Sequence, residues 1–274
     1  MPDPTRPRTP RIVAIANQKG GVGKTTTAIN LAAALGEAGL RVLIVDLDPQ
    51  GNASTGLGID RQSRGATTYD LLLDDAPVTE VARQTEVRGV WVCPSTTDLS
   101  SADMELVANE KRSFLLHDAL RHVDVDTLAL DYILIDCPPS LNLLTVNAMV
   151  AADSVLIPLQ AEFFALEGLS QLMLTVREIR QAANPGLRIE GVVLTMADAR
   201  NNLSQQVEAD ARATLGPVVF QTVIPRNVRL SEAPSHALPV LSYDTASRGA
   251  QAYRALAREL LARHQAQQRQ KAQA

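Results

Sequence analysis

The chain has 274 residues, 46% of them apolar and 20% charged, with 26 Lys and Arg against 30 Asp and Glu for a net charge of −4. That length and composition describe a globular α/β chain with a large core and exclude a wholly disordered one. No apolar run reaches the roughly 18 residues of a membrane span, and the opening MPDPTRPRTP lacks the apolar stretch of a secretory signal. Cys93 and Cys137 are too few for a disulfide framework or a four-ligand zinc site, so a soluble cytoplasmic protein is expected. Mild acidity confines any nucleic-acid contact to a local basic patch.

Four prolines in the first ten residues predict an extended, flexible leader over residues 1–10. RIVAIA (11–16) then starts an alternation of short apolar runs with helical spacings. RVLIVD (41–46), VWVCP (90–94), YILIDC (132–137), SVLIPL (154–159) and IEGVVLT (189–195) are too apolar to be half exposed, as in strands buried on both faces of a parallel sheet. Between them, Leu166, Leu169, Leu172, Met173 and Val176, and later Val207, Ala211 and Leu215, keep helical period. The repeated strand–helix–strand order predicts an α/β fold, a doubly wound, mostly parallel sheet with helices on both faces, in a single domain over residues 11–264. Ala246–His264 reads as a final helix and QAQQRQKAQA (265–274) as a polar flexible tail. From Arg226 onward eight basic side chains face three acidic ones, a local net of +5 in an acidic chain.

The segment Lys19, Gly20, Gly21, Val22, Gly23, Lys24, Thr25, Thr26 lies between the first strand and the first helix, where doubly wound sheets bind ligands. Its glycines let backbone N–H groups surround phosphate oxygens, and the helix N-terminus adds its positive end. Lys24 is placed to reach the β- and γ-phosphates of ATP, and the Thr25 hydroxyl to ligate Mg²⁺. Where the usual phosphate-loop pattern has glycine, this chain has Gln18, and it adds a second lysine, Lys19. Only four lysines occur in the chain, and two are in this loop.

KGGVGKTTTAINLA followed by VLIVDLDPQGNAST resembles the deviant Walker A P-loop NTPases, and within them the ParA/Soj partition ATPases, on the chromosomal Soj-like branch. LIDCPPSL (134–141), PLQAEFFALEGLSQL (158–172) and VIPRNVRLSEAPSH (223–236) extend the resemblance from about Arg11 to Leu261. It implies that Lys19 reaches across a nucleotide-sandwich homodimer to the partner's phosphates, that Gly20 lies at the tight dimer contact, and that Lys24 and Thr25 act in cis. It also implies that Asp48 orients the attacking water, that Asp46 stands near the Mg²⁺ shell, and that Asp136 holds Mg²⁺ through water as the Walker B carboxylate. Pro225 and Asn227 match the place where the family holds adenine, and Arg200 and Arg229 its DNA-binding positions.

The expected cycle is that of a partition ATPase. ATP drives dimerisation, the dimer binds DNA without sequence preference, and a DNA-bound ParB-type partner stimulates slow hydrolysis and release. The protein is expected on the nucleoid, with no membrane partner. The related MinD proteins, which associate with membranes, are the alternative, but the tail has only a few leucines before a Gln/Ala stretch. No motif suggests the additional pocket of a metabolic phosphoryl-transfer enzyme, and the two cysteines do not match an iron–sulfur reductase. Both cysteines read as core side chains, and the four histidines show no metal spacing.

Overall fold

The computed structural model describes residues 9–107, 109–162, 165–198 and 200–273. Seven strands form one sheet: β1 (Arg11–Ile15), β2 (Val42–Asp46), β3 (Arg83–Gln84), β4 (Val90–Cys93), β5 (Tyr132–Asp136), β6 (Ser154–Gln160) and β7 (Arg188–Thr195). Their order is β3-β4-β2-β5-β1-β6-β7, parallel throughout except for the edge strand β3, which runs antiparallel to β4. β3 is absent from the sequence reading because it has two polar residues and no apolar alternation. It forms because the turn after it returns the chain onto β4, pairing Arg83 with Val92 and Gln84 with Trp91.

Successive strand residues point to opposite faces, and both faces are buried. Ile12, Ala14, Leu43, Val45, Ile133 and Ile135 pack in one apolar cluster, beneath the helices Leu99–Val107, Leu143–Ala151 and Ala165–Ala182. Val13, Ile15, Val42, Ile44 and Leu134 pack in the other, against the helix Lys24–Glu37 and the C-terminal helix Arg248–Gln273. This is why the strands read as unbroken apolar runs. In the Ala165–Ala182 helix, Leu169, Leu172 and Val176 supply the buried stripe, while Met173 lies at its edge, 36% exposed.

The C-terminal helix continues through residues 265–273, where the sequence reading expects a flexible tail. Ala, Gln, Arg and Lys are all good helix formers, and neither Gly nor Pro interrupts them. Tertiary contacts also hold the segment: His264 is buried among strand starts, and the Arg11 guanidinium donates to Gln267 Oε1 at 2.8 Å. The leader, residues 1–8, lies outside the described residues.

Candidate active site

The parallel register aligns the carboxyl ends of the central strands. Ile15 of β1 is level with Asp136 of β5, and Asp136 with Asp46 of β2. The loop leaving β1 therefore passes over two strand-end carboxylates. Gly21 and Gly23 take φ of 74° and 90°, the left-handed region that favours glycine, and Gly23 is the N-cap of the helix bearing Lys24, Thr25 and Thr26. The loop is pinned from below. Asn17 Nδ2 donates to Pro158 O at 2.7 Å, Lys19 N donates to Asn17 Oδ1 at 3.0 Å, and Thr195 Oγ1 donates to Val22 O at 2.8 Å. Neither Asn17 nor Thr195 stood out in the sequence, because their partners are 141 and 173 residues away.

The two lysines differ in setting. Lys24 is 6% exposed, and its Nζ donates to Lys19 O at 3.0 Å inside the cradle. Burial lowers its pKa, and Asp136 is the first of the groups pulling it back up. Lys19 lies on the open rim with its side chain 45% exposed, and its Nζ pairs with Glu162 Oε2 at 3.0 Å. Gln160 Nε2 also donates to Glu162, at its Oε1.

The three aspartates play separate parts. Asp46, fully buried, accepts from Asp48 N at 3.2 Å on one oxygen and from Ser54 N (2.9 Å) and Ser54 Oγ (2.6 Å) on the other. Burial raises its pKa to about 6 against those hydrogen bonds. These hydrogen bonds tie Asp46 to the loop that follows β2. Asp136 is fully buried, and neither of its oxygens meets hydrogen-bond geometry. The Thr25 hydroxyl stands near enough to favour its charged form, but burial and then the Asp46 charge outweigh this and raise its pKa well above the carboxylate range. Asp48 is 8% exposed and accepts from Gln50 N at 2.9 Å, in a turn closed by Gly51 N donating to Asp48 O at 2.8 Å.

An unpartnered buried carboxylate beside a threonine hydroxyl and a buried lysine fits Mg²⁺ bound with a nucleotide. Among the described residues no three His, Cys, Asp or Glu side chains converge on one point. Phosphate oxygens and water would complete the coordination. Beside the loop, a cavity of about 580 Å³ is lined by Gly23, Thr26, Pro225, Asn227 and Tyr253, with volume for a purine base. Asn227 caps the short helix Val228–Glu232, its Oδ1 accepting from Arg229 N at 2.9 Å. Its amide NH₂ is then the group on offer to a base.

Arg200 and Arg229 do not share one wall. Arg200, 92% exposed, pairs with Asp198 at 3.3 Å and lines a groove of about 800 Å³ together with Arg226 and Arg248. Arg229 is held between Glu232 at 2.8 Å and Asp244 at 3.2 Å. Arg226 and Arg248 were invisible in the sequence except as part of the late basic excess.

A glycine-lined phosphate loop opening a helix at the carboxyl edge of a parallel sheet, with an unpaired carboxylate at the next strand end, defines a P-loop nucleotide hydrolase. The chain is 57% identical to the chromosome partitioning protein ParA of Caulobacter vibrioides over 258 residues, 94% of this chain and 96% of that one. It belongs to the ParA/Soj family of chromosome-partitioning ATPases. It is likewise 53% identical over 252 residues to the sporulation initiation inhibitor Soj of Bacillus subtilis, covering 92% of this chain and 98% of Soj. A family model described as an AAA domain matches residues 10–189. Among solved structures, cobyrinic acid a,c-diamide synthase from Mycobacterium smegmatis, with bound ADP and magnesium, superposes with a TM-score of 0.79 at 37% identity, over 92% of this chain and 94% of that one. The cell division ATPase MinD of Pyrococcus furiosus does so with a TM-score of 0.73 at 30% identity, over 91% and 98%. No helix among the described residues is long and apolar enough to cross a membrane.

Proposed function

We propose that this ATPase is a nucleotide-gated DNA clamp for partition. ATP with Mg²⁺ occupies the loop, two copies close face to face, and the dimer holds DNA without sequence preference. A DNA-bound partner of the ParB type then stimulates hydrolysis and release. Lys24 would serve the phosphates in cis, Thr25 and Asp136 would hold Mg²⁺, and the ion would supply charge neutralisation at the phosphates. Asp48, at its turn, orients the attacking water.

The observation that carries this reading is the placement of Lys19. The cradle already has its buried lysine, while the Lys19 amine sits on the rim, engaged by a carboxylate that a phosphate can displace. Gly20 supports it: a Cβ there would meet nothing closer than Pro139 Cβ at 3.8 Å, so no contact within the chain demands glycine. A glycine here leaves room for close approach of a second copy. For DNA, the Arg200–Arg226–Arg248 groove supplies planar guanidinium donors, and dimerisation doubles the set. The C-terminal helix disfavours a MinD-like membrane role, because Leu256 and Leu260 are already buried in the core.

The test is binding to arbitrary-sequence duplex DNA with ATP, ADP or no nucleotide, at two salt concentrations, beside a liposome control. ATP-dependent binding is expected, and Lys19→Ala loses it along with dimerisation while its monomer still binds ATP. Arg200→Glu flattens the log–log salt slope by about 2, since each lost phosphate contact accounts for roughly 0.9 and the dimer loses two. DNA-independent, ATP-dependent binding to liposomes would overturn the proposal in favour of the membrane reading.

A further inference from the structure

Arg64 lies outside the phosphate loop and outside every motif that the family reading uses, yet it is only 2% exposed. It is not held by a carboxylate among the described residues. Its guanidinium instead donates to the carbonyl of Ser95, to Gly51 O at 3.2 Å, to Thr55 Oγ1 at 2.7 Å and to Ile59 O at 3.3 Å, and its Nε has no partner. Burial lowers its pKa, with Asp46 the first charge opposing that. A buried cation satisfied by four neutral acceptors costs desolvation free energy that an apolar residue would not, so stability alone gives little reason to have it there.

What it grips is the turn carrying Asp48. Gly51 closes that turn on Asp48 O and takes φ 63°. A Cβ on Gly51 would stand 2.1 Å from Arg64 Nη1 and 2.7 Å from Ser95 O, so backbone and guanidinium are in direct contact. On the other side, Asp46 holds Ser54, and Ser54 Oγ accepts from Ser95 N at 3.0 Å. Arg64 and Asp46 thus fasten the Asp48–Gly51 turn from its two sides, with Ser95 bonded to Arg64 directly and linked to Asp46 through Ser54.

We propose that Arg64 is a positioning residue for ATP hydrolysis, holding the Asp48 turn where its carboxylate can order the attacking water. This rests on the reading of Asp48 given above. Arg64 lines neither the phosphate loop nor the base cavity, so nucleotide binding should not depend on it, whereas misplacing a catalytic group by about 1 Å can cost 100-fold in rate.

The experiment compares Arg64→Met, Arg64→Lys and Asp48→Ala for ATP KM, single-turnover hydrolysis and binding of a fluorescent ATP analogue, with thermal unfolding alongside. For Arg64→Met the expected result is a fall in kcat of about 30- to 100-fold with KM within about threefold. Arg64→Lys, keeping the charge but only one donor nitrogen, falls between Arg64→Met and wild type. If Asp48→Ala hydrolyses ATP at the wild-type rate, the reading of the turn fails, whatever Arg64 does. If Asp48→Ala is inactive while both Arg64 variants match wild type, the Arg64 proposal fails by itself. It is equally overturned if the Arg64 variants lose analogue affinity in step with rate, since that is the mark of a residue that only holds the fold.

Discussion

Replacing Asp136 by Asn is expected to cripple hydrolysis and at the same time to make the nucleotide-free protein more heat-stable. The carboxylate is fully buried, neither oxygen has a hydrogen-bond partner, and Asp46 adds a second acid in register on the adjacent strand. Without a bound metal ion such a group is destabilising, because burial penalises its charged form by more than the Thr25 hydroxyl and the Lys24 charge offset. Asn has the same shape and no charge, so the penalty shrinks by about 1–2 kcal/mol, and a chain of this size gains roughly 2–4 °C in Tm per kcal/mol. The amide cannot, however, accept hydrogen bonds from Mg²⁺-bound water on both of its positions. Mg²⁺-dependent activity is therefore expected to drop about 10- to 100-fold, as for other outer-shell metal partners. Thermal unfolding without nucleotide and a Mg²⁺ titration of hydrolysis measure the two halves. A lower Tm for the variant would show that the carboxylate is not a source of instability, and an unchanged Mg²⁺ dependence would remove it from the metal site.

The second large effect belongs to the opposite edge of the sheet. At the amino ends of β5, β6 and β7, Tyr132, Ser154 and Glu190 meet His264 from the C-terminal helix. One tautomer satisfies the whole set: Tyr132 Oη–H donates to His264 Nδ1 (2.7 Å), His264 Nε2–H to Glu190 Oε1 (2.8 Å), and Ser154 Oγ–H to Glu190 Oε2 (2.6 Å). The serine hydroxyl is bonded to the glutamate, not to the histidine, and Ser154, Glu190 and His264 are all buried, so the cluster is a structural lock and not a nucleophile site. His264→Ala removes the central member and strands Glu190 and Tyr132. The expected cost is about 2–4 kcal/mol, since two buried polar groups, one of them a carboxylate, each lose a hydrogen-bond partner.

That loss should depend on pH. Burial by itself would raise the pKa of Glu190, but the hydrogen bond from His264, with the Ser154 hydrogen bond and the Arg11 charge, outweighs it and lowers the value from 4.5. A lowered carboxyl pKa gives stability that is present above the unfolded-state value and lost as pH falls through the folded one. Without His264 burial is opposed only by Ser154 and Arg11, so the carboxyl pKa is expected to rise and its stabilising contribution to shrink. The stability gap between wild type and variant is therefore expected to be small in acid and to widen as pH rises past the ordinary glutamate range. Chemical denaturation at a series of pH values measures it, and a gap that stays constant would rule out Glu190 as its source. ATP binding in the cold should survive the substitution, because the phosphate loop lies at the other edge of the sheet.

The strand–helix order, the mostly parallel sheet and the phosphate loop were all legible in the sequence. Each is written in a local pattern: apolar runs for doubly buried strands, glycines with left-handed φ at 21 and 23, and a lysine–threonine pair opening a helix. Sequence also singled out Lys19, since a second lysine in the loop of a lysine-poor chain is itself a signal. What it left open was decided by contacts between segments far apart in the chain. Asp46 and Asp136 are both strand-end aspartates, and only the register and the Ser54 hydrogen bonds separate the engaged carboxylate from the unpartnered one. The residues after His264 are polar enough to fray, yet Tyr132, Glu190 and Arg11 lie 132, 74 and 256 residues from the partners through which they hold that helix. Arg64 looks like any surface arginine until Ser95 and Gly51 fold around it. Local composition determines which elements form and which loop can bind phosphate. Long-range burial then decides which polar groups are already satisfied and which remain free to act, because only desolvation makes an unpaired group costly enough to matter.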